Sequence, residues 1–341
     1  MKLYYCGTYY HTLIATIKAM NDAEVSDILL ANDIPGFGSL KENLLHSGVF
    51  QSVLTYDALS FDSYYVFNNR FERVTKARKI VCNRIPETVP LSDDAWKGYS
   101  GIYIFNDMTG PAKYLILKGI KYHLLEDALD YFVYFDKYYK IPEGAFAKGG
   151  FRQKVKTTMG VGFNLWGQND CCTDIEVNSK ENIKIPQDKV IEVSRKELFS
   201  SLSDEQKKII YAIFAKGKAT GEKTDGKSMI LLTQPLFKDK FVVSEEKQRI
   251  VFESVIKEYR GKSYAVAIKP HPRDEMDYFP LIEKYGCTYI DKNIPSEMLN
   301  FDKDSSYDVA VSITSTAINF LENVGEKRFM GREYISICTK E

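Results

Sequence analysis

A lysine and a histidine follow an apolar run in the second half of the chain. Residues Ala265 to Ile268 are continuously apolar and lead into Lys269-Pro270-His271-Pro272. This pattern predicts a buried parallel strand followed by a rigid loop, because the prolines fix φ and bias the residues before them to extended conformations. The imidazole of His271 would then lie at the carboxyl end of a strand, where open α/β sheets bind ligands. A tight turn without a function is the simpler interpretation of this segment taken alone.

Hydroxyl side chains follow a second apolar run, Val309 to Val311. These hydroxyl residues are Ser312, Thr314, Ser315 and Thr316. Hydroxyls and free N–H groups at the start of a helix form an anion site, although an ordinary helix cap would use the same residues. Since the carboxyl ends of parallel strands meet at one edge of a sheet, we expect the hydroxyls to lie near Lys269 and His271. Together these groups predict a phosphate-binding site.

A glutamate lies between these two segments. Glu297 begins a predicted short helix after Ile294-Pro295-Ser296. A carboxylate at this edge could accept two hydrogen bonds from ribose hydroxyls, and a solvated residue in the first turn of a helix is the alternative. The glycine-rich phosphate loops GxGxxG and GxxxxGKS are absent from the sequence. Kinase and dinucleotide dehydrogenase functions therefore lose support.

The composition excludes several other classes of protein. Lys+Arg and Asp+Glu each number 46 in a chain of 341 residues, so the net charge does not favour a nucleic-acid partner. No apolar run is long enough to span a membrane, and the N-terminus lacks a signal-peptide core, which predicts a cytoplasmic protein. The 6 cysteines are scattered without a CxxC pair, as expected for reduced thiols rather than a zinc site.

The order of predicted elements indicates an α/β fold in two halves. Strands alternate with helices over residues 2–127 and again over 228–324, where the last elements are strands at 287–293 and 307–313 and a helix at 314–324. Residues 140–187 show no clear period. The alternation predicts doubly wound, mostly parallel sheets. We expect domains at 1–192 and 193–341, a flexible link at 216–228, and a ligand in the cleft between the domains.

Four segments of the second half resemble a known family. LLTQPLFKD, VAIKPHPRDE, IPSEML and SITSTAINF occur in this order and are similar to the bacterial sialyltransferase family that includes lipooligosaccharide and capsule sialyltransferases. The similarity is densest over residues 228–321, with weaker counterparts HTLIATIKA and YHLLEDAL in the first half. CDP-glycerol glycerophosphotransferases have a similar arrangement of His-Pro and Ser/Thr residues and form the nearest alternative.

The resemblance implies a GT-B fold, two Rossmann-like domains with the active site between them. It further implies transfer of sialic acid from CMP-sialic acid to a sugar hydroxyl, with inversion and without a metal or other cofactor. His271 would protonate or stabilise the departing CMP phosphate. The expected nucleotide-binding residues are Lys269, Pro272, Glu297, Ser312, Thr314, Ser315, Thr316, Thr233 and Gln234.

A base for the acceptor hydroxyl has two candidate positions. Related enzymes use a pair of acidic residues followed by glycine. Lys238-Asp239-Lys240 and Glu126-Asp127-Ala128 each approximate this motif without its glycine. We prefer Asp239, because its surroundings TQPLFKD resemble the family more closely, and Asp127 or Glu126 is the alternative.

The acceptor is expected to be a galactoside on a surface glycan such as lipooligosaccharide or capsule. The resemblance also makes a homodimer and peripheral contact with the inner face of the membrane plausible. A donor of the CDP-glycerol or CDP-polyol type is a second hypothesis. A third is a non-catalytic subunit of polysaccharide assembly, since aromatic clusters at 56–71 and 128–140 could bind sugars or could equally belong to the core.

Overall fold

The computed structural model of the chain describes residues 1–134, 146, 151–215, 226–301 and 306–339. The chain divides into two units, Met1–Ile209 and Ile210–Glu341. The predicted boundary at 192/193 follows the last strand of the first sheet, and most of the predicted link at 216–228 lies outside the described residues. None of the helices in the described ranges has both the length and the apolar composition needed to cross a membrane.

Buried apolar runs form the central strands of the first unit. Within the described residues its sheet contains seven strands, all paired in parallel in the order β3-β2-β1-β4-β5-β6-β7. The strands are β1 Lys2–Cys6, β2 Ser26–Ala31, β3 Val53–Tyr56, β4 Gly101–Ile104, β5 Tyr122–Leu125, β6 Cys172–Val177 and β7 Val190–Glu192. This is the strand order of a Rossmann-type sheet, which reverses direction between β1 and β4.

Helices connect and cover these strands. They are α1 Tyr9–Met20, α2 Phe37–Ser47, α3 Ala58–Tyr64, α4 Arg70–Thr88, α5 Asp93–Gly98, α6 Gly110–Lys118, α7 Phe151–Thr158, α8 Arg195–Ser200 and α9 Asp204–Phe214. The sequence Ser203-Asp204-Glu205-Gln206 predicts the start of α9, and the structure confirms it, because the Ser203 hydroxyl accepts from the Gln206 N–H and the Gln206 side chain accepts from the Ser203 N–H. Of the aromatic cluster at 56–71, Tyr56 and Phe61 are buried whereas Phe71 is exposed.

The second unit repeats the same arrangement with five parallel strands among the described residues, in the order β10-β9-β8-β11-β12. The strands are β8 Ser228–Leu232, β9 Ala265–Lys269, β10 Thr288–Tyr289, β11 Tyr307–Ser312 and β12 Val324–Phe329. The α-helices are α10 Glu245–Gly261, α11 Phe279–Tyr285 and α12 Gly331–Thr339, and two 3₁₀ helices span Ser296–Asn300 and Thr316–Phe320. The order reverses between β8 and β11, so the carboxyl ends of these two strands flank the switch point of the sheet.

Two predictions for the second unit are wrong. The strand expected at 287–293 is limited to the two residues of β10, and the helix expected at 314–324 is only the second 3₁₀ helix. That helix ends early because the Asn300 side chain donates to the Phe320 carbonyl (2.6 Å) and accepts from the Glu322 N–H (2.8 Å). The chain then extends into β12, which the sequence did not reveal and which pairs with β11.

Candidate functional site

The loop after β9 holds the His271 side chain in one orientation. The main-chain N–H of Arg273 donates to Nδ1 of His271 over 3.1 Å. The N–H of Asp274 donates to the His271 carbonyl over 2.9 Å. Because Nδ1 accepts a hydrogen bond, the ring hydrogen lies on Nε2, which can donate to a ligand.

Burial and nearby positive charge lower the pKa of His271 to about 4, with Arg273 and Lys269 as the charged neighbours. The imidazole is therefore neutral near pH 7 in the unliganded protein. A neutral imidazole with its hydrogen on Nε2 can act as a hydrogen-bond donor to an anion at this loop.

Lys269 links the loop to the segment that follows β10. Its side chain is 4% exposed, and Nζ donates to the carbonyls of Pro270 (3.0 Å) and Lys292 (3.1 Å). Burial lowers the pKa of Lys269 to about 8, and the negative charge of Glu297 opposes this shift. The ammonium group thus holds two backbone segments together beside Glu297.

Asp274 is a buried hub for the same loop that the sequence analysis missed. Its carboxylate accepts hydrogen bonds from Tyr278 Oη (2.6 Å), Gln248 Nε2 (3.0 Å) and Thr233 Oγ1 (3.1 Å). These contacts join the ends of β8 and β9 to α10. The available signal was the position of an acidic residue directly after the KPHPR segment, since a buried carboxylate needs several donors.

The carboxyl ends of β8 and β11 meet at the switch point of the second sheet. The Thr314 hydroxyl donates to Oε1 of Gln234 over 3.3 Å, which connects the two loops directly. Thr233 is buried through its contact with Asp274, whereas Gln234 and Thr314 are half-buried. The structure therefore brings Thr233, Gln234 and Thr314 to the edge that carries His271.

The serines after β11 shape a tight turn. The buried Ser312 hydroxyl accepts from the Ser315 N–H (2.8 Å) and donates to the Ser315 carbonyl (3.0 Å). The Ser315 hydroxyl accepts from the Ala317 N–H (3.3 Å) and caps the following 3₁₀ helix. Ser312 thus uses its hydroxyl within the turn. The Thr316 side chain lies outside the described part of the chain.

Glu297 lies in the first turn of the 3₁₀ helix Ser296–Asn300 and is 8% exposed. Burial raises its pKa, while the Ser296 hydroxyl, which donates to Oε2 over 3.3 Å, and the positive charge of Lys269 oppose the shift. A buried carboxylate with few donors has the capacity to accept hydrogen bonds from hydroxyl groups of a ligand. Pro272, also predicted to contact the nucleotide, is half-buried within the His271 loop.

Asp239, the preferred base, follows β8 and lies beside the His271 loop. Its carboxylate contacts the Arg273 guanidinium, with Oδ1 3.2 Å from Nη1 and Oδ2 3.5 Å from Nη2. Both oxygens therefore face one cation. This salt bridge was not expected from the sequence, because Arg273 and Asp239 lie on different loops.

The alternative carboxylates follow β5 in the first unit and differ in environment. Glu126 is fully buried, and its Oε2 accepts from the Asn178 N–H over 2.7 Å. Burial raises the pKa of Glu126 to about 7, and the Asn178 N–H and the Arg195 charge oppose this shift. Asp127 is 28% exposed, and its Oδ1 lies 3.0 Å from Nε2 of His11. His11 begins the segment HTLIATIKA and lies in α1, and its sequence position alone did not indicate a role.

Two kinds of chemistry are present in these residues. The second unit offers an imidazole N–H, a turn of hydroxyls and a buried carboxylate at one sheet edge, which suits a nucleotide. The first unit offers a partly exposed carboxylate at the edge of its own sheet, which suits proton transfer. Among the described residues, no group of three or more His, Cys, Asp or Glu side chains is arranged to hold a metal ion.

Comparison with known proteins identifies a matching family. The sequence profile of Glycosyltransferase family 52 matches residues 58–328. An uncharacterized protein of Haemophilus influenzae is 28% identical over 147 residues, which are 42% of this chain. The match spans 45% of that relative's length, less than half of it.

Solved structures of three Photobacterium sialyltransferases share the fold. An α/β-galactoside α-2,3-sialyltransferase from Photobacterium phosphoreum superimposes with a TM-score of 0.59 at 15% identity, covering 96% of this chain and 89% of that one. A 2,6-sialyltransferase from Photobacterium sp. JT-ISH-224, solved with CMP and lactose, gives 0.57 at 13% identity, covering 96% and 71%. The GT-B domain of a Photobacterium damselae sialyltransferase gives 0.51 at 14% identity, covering 95% and 90%. The predicted GT-B fold is therefore confirmed.

Proposed function

Because the chain belongs to glycosyltransferase family 52, we propose that it transfers sialic acid from CMP-sialic acid to a hydroxyl of a glycan, with inversion and without a metal. The acceptor we propose is a galactoside on a surface glycan such as lipooligosaccharide or capsule. The resemblance of the KPHPRD and SITST segments to sialyltransferases supports the donor. The CMP and lactose bound to the Photobacterium 2,6-sialyltransferase support the same pair of substrate classes.

The environment of His271 is the observation that carries this proposal. Its Nδ1 accepts from the Arg273 N–H, so Nε2–H is the ring group that would donate to a ligand. In sialyl transfer, the bond between the anomeric carbon and the CMP phosphate oxygen breaks, and the electron pair remains on that oxygen. A hydrogen bond from Nε2 stabilises the charge as it develops, which is the requirement for catalysis by an N–H donor.

The remaining donor-site residues would bind the rest of CMP. Glu297 would accept hydrogen bonds from the ribose hydroxyls, because it is buried and has few internal donors. The turn from Ser312 to Ser315 would approach the phosphate, and the Gln234–Thr314 contact would fix its position. The buried ammonium group of Lys269, at the start of the His271 loop, would contribute positive charge near the phosphate.

We propose Asp127 as the base, with Asp239 as the competing assignment. The acceptor hydroxyl gives its proton to the carboxylate while its oxygen forms the bond to the anomeric carbon. Asp239 directs both oxygens to Arg273, whereas Asp127 contacts His11 through one side-chain oxygen. An oxygen that is not already paired to a cation is better suited to receive a proton.

The proposed acceptor also implies where in the cell the protein acts. A lipid-linked glycan at the inner face of the membrane would require a cytoplasmic enzyme with peripheral membrane contact, and the family resemblance supports a homodimer. These proposals can be examined by fractionating cells that express the protein and by light scattering of the purified chain.

Turnover measurements test the function directly. Purified protein is incubated with CMP-sialic acid and a series of galactosides, and release of CMP is followed. We expect CMP release that depends on the acceptor, and thermal stabilisation by CMP-sialic acid but not by CDP-glycerol. No turnover with any galactoside, or stabilisation by CDP-glycerol instead, would contradict the proposal. Asp127→Asn and Asp239→Asn are compared in the same assay, and the base is the residue whose replacement causes the larger fall in kcat while CMP still binds.

A further inference from the structure

His11 lies directly beside Asp127 at the carboxyl edge of the first sheet. We infer that His11 is a positioning residue that fixes the carboxylate of Asp127 for proton transfer from the acceptor. This inference rests on the proposed function, since it concerns the proposed base. It adds a role for a residue whose helix position alone gave no functional signal.

Both ring nitrogens of His11 are engaged. Nδ1 accepts a hydrogen bond from the Gly7 N–H over 3.1 Å. Nε2 lies 2.9 Å from the Asp127 carbonyl oxygen and 3.0 Å from its Oδ1. Because Nδ1 is the acceptor, Nε2 carries the hydrogen and donates to Asp127, where the main-chain and side-chain oxygens share it.

The imidazole ring of His11 is buried and packed against an aromatic ring. His11 is 4% exposed, and its ring stacks on Phe105 with centroids 4.4 Å apart and planes 7° from parallel. The main-chain N–H of His11 donates to the Thr8 hydroxyl, which caps α1. The imidazole therefore has little freedom to rotate away from Asp127, and its donor direction is fixed before a substrate binds.

The strand order explains why these residues meet. His11 follows β1, Phe105 follows β4 and Asp127 follows β5, and these three strands are consecutive neighbours in the sheet. The reversal of strand order lies between β1 and β4, so the cluster occupies the switch point of the first unit. Residues 116 positions apart in the sequence are thereby placed in hydrogen-bond contact.

As a consequence, the two carboxylate oxygens of Asp127 differ in their hydrogen-bond contacts. Oδ1 of Asp127 faces the His11 Nε2–H, whereas Oδ2 accepts no hydrogen bond from the described residues. The partial exposure of 28% leaves the side chain open to solvent and to an acceptor. Fixing one oxygen orients the other, so that the acceptor proton has a defined destination.

The test compares His11→Ala and His11→Gln with a matched control, His123→Gln. His123 also pairs with an aspartate in this unit, since its Nδ1 lies 2.8 Å from Oδ2 of Asp174, but it lies within β5. We expect His11→Ala to lower kcat about 10- to 100-fold with little change in the KM for CMP-sialic acid. His11→Gln should recover most of the loss, because its amide N–H can replace Nε2–H, and the control should match the wild type.

A double-mutant cycle and CMP affinity complete the test. Adding His11→Ala to Asp127→Asn should cause no further loss, because the two residues act as a unit. CMP affinity, measured by calorimetry, should stay unchanged in every variant, and circular dichroism with thermal unfolding reports correct folding of the first unit, which carries the substitutions. Equal kcat in His11→Ala and the wild type, or additive losses in the double variant, would overturn the inference. Absence of turnover by the wild-type protein would instead refute the proposed function itself.

Discussion

The main-chain N–H of Arg273 and the Nδ1 atom of His271 are joined by a hydrogen bond of 3.1 Å, within a loop whose prolines already restrict the backbone. This bond selects the tautomer with hydrogen on Nε2. It also disfavours protonation of the ring, because a second hydrogen would have to replace the Arg273 donor. His271 is thus built to donate a hydrogen bond without becoming charged.

Replacing His271 by alanine removes this donor. We expect kcat to fall about 10²–10³-fold, because the charge on the departing phosphate loses one stabilising hydrogen bond. The affinity for CMP-sialic acid, in which that charge has not yet developed, should change little, since the donor acts mainly in the transition state. Steady-state kinetics and calorimetry measure the two quantities. His46→Ala, on the exposed face of α2, is the control, and unchanged kcat in His271→Ala would remove His271 from the reaction.

Burial is the largest cause of the lowered pKa of His271 and Arg273 is the next, so replacing Arg273 by glutamine should raise this pKa above about 4 but not to its ordinary value. The guanidinium disfavours the imidazolium, and its loss also leaves Asp239 unpaired beside the ring. The main-chain N–H at position 273 remains, so the tautomer is kept. NMR titration of the His271 ring measures the change, with Lys238→Gln as the control. A pKa that stays the same or falls would contradict this assignment of charges.

Replacing Glu126 by glutamine should stabilise the protein at alkaline pH. The pKa of Glu126 is about 7 in the folded protein against an ordinary value of 4.5, so the folded state binds the extra proton between these values. The free energy of unfolding therefore falls as pH rises from 4.5 to 7, and glutamine removes this loss. We expect a gain on the order of 2 kcal/mol at pH 8 and little at pH 4.

Urea denaturation at the two pH values measures that difference. Turnover by Glu126→Gln should remain near the wild-type level, because the side chain is fully buried and Asp127 is the proposed base. A strong loss of turnover would assign the proton transfer to Glu126 instead of Asp127.

Replacing Asp274 by asparagine should lower the free energy of unfolding by about 2–4 kcal/mol. The amide would direct N–H groups at the donors Tyr278, Gln248 and Thr233, which now share the carboxylate. Glu275→Gln changes the neighbouring exposed carboxylate in the same way and serves as the control. Denaturation curves that coincide for the two variants would show that Asp274 is not a hub.

Replacing Glu297 by glutamine should weaken CMP binding about 10-fold, because a carboxylate accepts two ribose hydrogen bonds better than an amide does. The wild-type protein should prefer CMP to 2′-deoxy-CMP, and the variant should lose that preference. Calorimetry with both nucleotides separates ribose recognition from a general loss of structure. A variant that keeps the preference would place the ribose elsewhere.

The central strands could be predicted because the residues within each strand are enough to indicate a buried strand. Buried parallel strands such as β8, β9 and β11 contain continuous apolar runs, which are followed directly by Thr233, Lys269-Pro270 and Ser312. The strand β12 gave no such signal. It is an exposed edge strand with the sequence VGEKRF, and its pairing with β11 rather than its own composition makes it extended. Helix α4, at 70–88, also gave only a weak signal, because few of its residues are buried. These are Ala77, Val81, Ile85 and Thr88.

Some residues of the candidate site could likewise be predicted from the sequence, and others could not. His271 could be identified because the four consecutive residues Lys269-Pro270-His271-Pro272 are enough to predict a rigid loop that holds it. The roles of Asp274 and Asp127 could not be identified, because Asp274 accepts hydrogen bonds from three different elements and Asp127 contacts a histidine 116 positions away in the sequence. Contacts between loops are set by strand order, and strand order is only weakly encoded in any one segment.

The contact between Gln234 and Thr314 joins residues 80 positions apart. It exists only once β11 has paired with β8, and bringing such distant segments together carries a loop-closure entropy that local contacts do not offset. The proposed nucleotide pocket is therefore among the last features of the second unit to form during folding. Nucleotide added during refolding should bind only chains that have completed this pairing, so CMP would act as a selective trap for the finished sheet.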